Sequence, residues 1–239
     1  MMTRCFVFSL CLVFYMALPA QAHYSIMTNS SGLRAIKYLP QGYDSTKSYG
    51  VLLALHGMKE NMYLSFERWK SVAEQLNMIL LCPEGSDYIQ GYRRSSHHDI
   101  EGMISLYDEL NLSHHINHSQ TILVGFSRGG TIAIEMGVRY PGRFKKVVSF
   151  FGFVNLNRVQ AYIDKVNLKR FKHSSFFLVT NKGDLTESSV VKGGHFLEKS
   201  GVRYQIFRYP SLYHALPKAL PNEMLRIQSW LDPTVNVQG

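Results

Sequence analysis

Short runs of consecutive apolar residues alternate along this chain with segments whose apolar residues recur every three or four positions. Val51-Leu52-Leu53-Ala54-Leu55, Met78 to Cys82, Thr121 to Val124, Lys146 to Phe151, Ser175 to Thr180 and Val202 to Phe207 are runs of the first kind. Ala35-Ile36-Lys37-Tyr38-Leu39 is an earlier one. Near-continuous apolar runs of this length suit strands covered on both faces. Between them, Trp69/Val72/Ala73/Leu76, Ile100/Met103/Ile104/Tyr107/Leu110, Val159/Tyr162/Ile163/Val166 and Met224/Ile227/Leu231 fall on one face of a helix. Thr131 to Met136 is a further helix, and Val190, Val191, Phe196 and Leu197 mark a weaker one that holds Gly193 and Gly194. Strands alternating with helices predict an α/β fold, a mostly parallel central sheet with helices on both faces. No internal repeat, linker or stretch long enough for an inserted lid interrupts the pattern.

The connections carry the next layer of information. Glu84 to His98 is a polar loop, long for its place, and such loops at strand ends often border a site. Asp99 is placed to cap the helix after it. His114-His115-Ile116-Asn117-His118 could suggest a metal, but His114 and His118 need a helix to converge and no carboxylate or cysteine joins them. They read as loop histidines, and neither a metal nor an organic cofactor is expected.

The N-terminus breaks the alternation. Met1 to Arg4 is a short basic start, Cys5 to Leu18 is apolar, and Ala20-Gln21-Ala22 fits a cleavage site, so residues 1–22 read as a secretory signal peptide. The apolar core is short for a membrane anchor, and stable insertion after cleavage is not expected. The remainder, 23–239, fits one domain that begins at His23 once processed. Cys5 and Cys11 leave with the leader, so Cys82 is the one cysteine kept, and its place at the end of an apolar run reads as a small buried hydrophobe. The formal net charge is +9, and losing Arg4 leaves +8. Arg143/Lys145/Lys146 and Lys165/Lys169/Arg170/Lys172 concentrate it. Such a surface could favour anionic lipid or polysaccharide, though solvated charge is the simpler reading, and no nucleic-acid motif accompanies it.

Chemistry enters at Gly125-Phe126-Ser127-Arg128-Gly129. A strand runs into this Gly-x-Ser-x-Gly and a helix follows at once, which lifts the serine off the sheet edge with its hydroxyl exposed. A serine needs a base, and the base needs an acid to hold its tautomer. Ligands bind beyond the carboxyl ends of parallel strands, and there Asp184 follows the penultimate strand and His214 the last. Glu187 and Asp164 are rival acids and His195 a rival base, each less well positioned along the chain. His56-Gly57-Met58 follows an early buried strand, so the backbone N–H of Met58 is expected to pair with that of Arg128 around an oxyanion. His56 itself reads as a structural residue of its loop. Phe126, Tyr88, Tyr92, Phe153 and Tyr213 could form an aromatic pocket or belong to the core.

The segments LLALHGMKEN, ILVGFSRGGTIAIEMGVRYPGRFKKVVSFFG, NKGDLTESS and YHALP, in this order and spacing, resemble the α/β-hydrolase superfamily across roughly residues 34–232. The chain looks most like its small serine esterases, of the phospholipase/carboxylesterase and polyhydroxybutyrate-depolymerase or feruloyl-esterase-like groups. The resemblance implies Ser127 as nucleophile, Asp184 as acid, His214 as base, and Met58 and Arg128 as oxyanion donors. Two departures stand out: HG is not extended to HGGG, and Arg128 replaces the familiar Gly or His after the serine. The expectation is an exported hydrolase, periplasmic or secreted, that cleaves small-molecule, lipid or polymer esters through an acyl-enzyme. A small exported peptidase of the same fold and a non-catalytic binding protein are the alternatives.

Overall fold

The computed structural model describes residues 24–87, 89–93, 97–163, 168–210 and 213–232. Within them, eight strands join in one sheet: β1 (Tyr24–Thr28), β2 (Arg34–Tyr38), β3 (Val51–Leu55), β4 (Ile79–Pro83), β5 (Ile122–Phe126), β6 (Lys146–Phe150), β7 (Ser175–Asn181) and β8 (Arg203–Tyr209). Their spatial order is β1-β2-β4-β3-β5-β6-β7-β8. β1 and β2 pair antiparallel, as do β2 and β4, and every pair from β4 to β8 is parallel. The expected sheet is thus present, with an antiparallel margin the sequence pattern did not reveal. β1 was missed because its Tyr-Ser-Ile-Met-Thr carries no apolar run, and it lies at the edge with most side chains exposed.

Five α-helices connect the described strands and a sixth follows β8: α1 (Met62–Leu76), α2 (His97–Ser113), α3 (Arg128–Arg139), α4 (Leu156–Ile163), α5 (Glu187–Lys199) and α6 (Leu220–Leu231). Strand alternation sorts their partners. Leu52, Ala54, Leu80 and Val124 pack with Trp69 and Val72 of α1 and Met224 and Ile227 of α6. Leu53, Leu55, Leu81 and Leu123 face the other way, onto Met103 and Leu110 of α2 and Ile132 and Met136 of α3. Because helices cover both faces, all five positions of β3, β4, β5 and β6 are buried, as the unbroken apolar runs require. No second domain or large lid stands apart from this sheet among the described residues.

Two expectations change. Asp99 does not cap α2, which begins two residues earlier at His97. It is fully buried and its Oδ2 accepts hydrogen bonds from the Arg93 N–H (2.7 Å) and the Ser86 hydroxyl (2.9 Å), so it ties the preceding loop to the helix. The basic run around Arg143 is also less open than its sequence implies, since Lys146 is buried against Asp232 at 2.8 Å and Arg143 pairs with Asp108. The leader 1–22, Tyr88, Arg94, Asp164, Lys165 and Val166 lie outside the described residues. No helix among those described is long and apolar enough to cross a membrane.

Candidate active site

Ser127 sits between β5 and α3 with φ 53° and ψ −114°. A side chain at positive φ costs on the order of 1–3 kcal/mol and persists only where its surroundings enforce it. Here the Ser127 N–H donates to Phe150 O at 2.8 Å, and the Thr131 N–H donates to Ser127 O at 3.1 Å. The flanking glycines allow the turn. A Cβ on Gly125 would lie 2.2 Å from the Gly129 carbonyl, and one on Gly129 would lie 2.2 Å from Leu55 O. The chain therefore doubles back against itself and against β3, and only hydrogen side chains fit at both points.

His214 meets this serine from the segment after β8, with Nε2 3.0 Å from Ser127 Oγ. Its Nδ1 lies 2.9 Å from Asp184 Oδ2, in the turn after β7. Phe126 and Phe151 bracket the imidazole, with ring centroids 5.5 and 5.1 Å away. The other carboxylate oxygen, Asp184 Oδ1, accepts from the Thr186 N–H at 2.8 Å and the Thr186 hydroxyl at 2.5 Å. Partial burial alone would push this carboxyl up. The hydrogen bonds from Thr186 and His214, with the attraction of the imidazole, outweigh it and hold Asp184 below the usual carboxylate range. Thr186 was absent from the sequence reading; a Ser or Thr two residues after the acid is an Asx-turn signal that could have marked it.

The rival residues are held elsewhere. Glu187 accepts from the Gly183 N–H at 2.8 Å and pairs with Arg208 at 3.1 Å, while His195 is exposed beside Glu198 on α5. His114 bonds Ser113 and Leu110, and His118 bonds Tyr107, so each histidine is engaged locally.

The turn after β3 shares the sheet edge with Ser127, because Leu55 stands opposite Gly125 in the parallel register. His56 is buried, with Nδ1 2.8 Å from Gly57 O and its ring 4.5 Å from that of Tyr92, as expected of a structural residue. Burial lowers its pKa and so favours the neutral ring. Met58 and Lys59 follow, Lys59 at φ 58°, and Glu60 folds back to accept the Gly57 N–H at 2.7 Å. Arg128 begins α3, and its side chain reaches Gln90 from above the same edge. Tyr92 is not a pocket residue: it is fully buried, accepting from the His56 N–H and donating to Pro83 O at 2.9 Å. Phe126 faces a groove of about 500 Å³ on one side of His214, and Tyr213 borders a second, of about 580 Å³, on the other. Phe153 lies away from both, exposed beside α4 and α5.

Residues 30–188 match the family model described as "Putative esterase". Among curated proteins, none matches. Solved structures with the same fold include the fluorophosphonate-binding serine hydrolase F of Staphylococcus aureus, at TM-score 0.67 and 13% identity over 88% of this chain and 98% of that one. An S-formylglutathione hydrolase from the same organism aligns at TM-score 0.64 and 16% identity over 90% and 98% of the two chains. A ferulic acid esterase from Anaeromyces mucronatus aligns at 0.63 and 15%, over 87% and 90%. At these identities the likeness is one of fold.

Proposed function

The chain belongs to the esterase family whose model spans residues 30–188, and from that premise we propose that it hydrolyses carboxylic esters through an acyl-enzyme on Ser127. The observation that carries the reading is the unbroken chain Ser127 Oγ, His214, Asp184, with links of 3.0 and 2.9 Å, at the carboxyl ends of β5, β7 and β8. Ser127 Oγ attacks the carbonyl carbon as its proton passes to His214 Nε2. Asp184 accepts the Nδ1–H, which keeps Nε2 free to act as base and stabilises the imidazolium. The Met58 and Arg128 amides stabilise the tetrahedral oxyanion. Collapse breaks the bond to the alcohol, which leaves with the proton from Nε2, and water repeats the sequence in reverse to free the acid.

Export belongs to the same proposal. Cleavage after Ala22 would remove the basic-apolar leader and leave β1 and every later described element intact.

A fluorophosphonate probe should label Ser127, and Ser127→Ala should lose both labelling and roughly 10³-fold or more of turnover on nitrophenyl esters. A folded alanine variant that still turns over would refute the mechanism. Faster cleavage of peptide anilides than of every ester in an acyl-length series would assign a peptidase instead.

A further inference from the structure

The groove beside His214 contains two cationic side chains that the ester-cleaving residues do not use. Arg68 reaches it from α1 and Lys218 from the segment before α6. The Arg68 guanidinium is fixed: Nη1 donates to Glu60 Oε1 at 2.6 Å, and the group lies 5.5 Å from the centre of the Phe126 ring. His214 lies 5.5 Å from that same ring. Among the described residues, Nη1 is the one nitrogen of Arg68 that is hydrogen-bonded, and Lys218 has no ion pair. Glu60 would oppose an anion, but one of its oxygens holds Arg68 and the other the Gly57 N–H, and its side chain is 12% exposed against 33% for Arg68. The charge the groove offers to a ligand is therefore positive.

Resting on the esterase reading, we propose that this groove is an anion-recognising subsite, and that the preferred substrates are esters with a carboxylate or similar anionic group a short distance from the scissile bond. A guanidinium already ordered by Glu60 and Phe126 loses little freedom when its remaining N–H groups take up an oxyanion, and planar carboxylates match its fork. Lys218, exposed in the lining of the same groove, supplies a second charge. The distances fit a compact substrate, because Arg68 and His214 both lie 5.5 Å from the centre of the Phe126 ring.

The test uses matched ester pairs. One carries a carboxylate or its carboxamide on a phenolic leaving group, the other carries them at the far end of an adipyl chain. The wild type is expected to favour the carboxylate member of at least one pair by about tenfold in kcat/KM at low salt. Arg68→Gln and Lys218→Gln should each erode that ratio several-fold, and Arg68→Lys should restore part of it. Added salt should erode the ratio in the wild type. The ratio separates recognition from any effect Arg68 has on catalysis through Glu60, since both members need the same bond cleaved. Equal turnover of carboxylate and carboxamide in both pairs, or a ratio untouched by the substitutions, overturns the subsite while leaving the esterase reading in place. Turnover unchanged by Ser127→Ala would remove that reading, and the subsite with it.

Discussion

Glu60 offers the sharpest test of how the proposed oxyanion turn is built. Its carboxylate accepts the Gly57 N–H at 2.7 Å and is paired with Arg68 at 2.6 Å, one residue before the Met58 amide. A hydrogen bond to a charged acceptor contributes about 1.5–3 kcal/mol net, and a partly exposed ion pair up to about 1 kcal/mol. Glu60→Ala should thus lower stability by about 2–3 kcal/mol. The catalytic effect is distinct. Lys59 is held at φ 58° inside this turn, and once Glu60 lets go of Gly57 the backbone can relax away from the aim of Met58. Full loss of an oxyanion donor costs about 2.7–4 kcal/mol of transition-state stabilisation. A misaimed donor should cost about half of that, which is about 10- to 30-fold in kcat. KM should move little, because the oxyanion exists only in the transition state. Glu60→Gln keeps an oxygen acceptor for Gly57 and should recover most of the loss in kcat. Steady-state kinetics on a neutral nitrophenyl ester, with urea unfolding beside it, separates the two effects. A Glu60→Ala variant with lowered stability but wild-type kcat would refute the positioning argument.

Asp184→Asn should keep the fold by circular dichroism yet cost up to about 10⁴-fold in turnover, because an amide favours the wrong imidazole tautomer; combined with His214→Ala the losses should not add. His195→Ala, on the outer face of α5, should retain full activity where His214→Ala does not, and the reverse result would reassign the base. Asp184 is held below its ordinary value, so the stability it contributes is complete above about pH 4 and is lost as pH falls through its folded value. The gap in urea stability between wild type and Asp184→Asn should therefore narrow as pH falls below about 4. Burial pushes the Cys82 thiol up to about 12, against a weaker opposing effect of Ser65, so iodoacetamide at about pH 8 should label it only after denaturation.

What the sequence disclosed and what it hid divide along a physical line. Val51–Leu55 and Ile122–Phe126 were legible because a strand buried on both faces needs apolar residues at every position, and few other environments do. The meeting of Ser127, Asp184 and His214 was legible through chain order, since parallel pairing brings the carboxyl ends of β5, β7 and β8 to one edge whatever the residues between. β1 escaped because an exposed edge strand asks little of its side chains. Tyr92 stayed open between pocket and core because an aromatic ring suits either; only the fold shows its hydroxyl bonded to Pro83 and His56 in the interior. Thr186, Glu60 and Arg68 form the remaining class. Each acts by holding another group: Thr186 holds Asp184, Glu60 holds the turn at Gly57, and Arg68 holds Glu60. Their partners range from two to eight residues away and no periodicity connects them; the Asx-turn spacing marks Thr186, but only the folded turn and helix reveal the pairings of Glu60 and Arg68. The convergence of the proposed reacting groups is thus written in topology, while their aim is written in short-range hydrogen bonds that any of several residue types could make. Substitutions at the holders are accordingly where esterases with the same three reacting residues can diverge in rate and in the charge of the ester they accept.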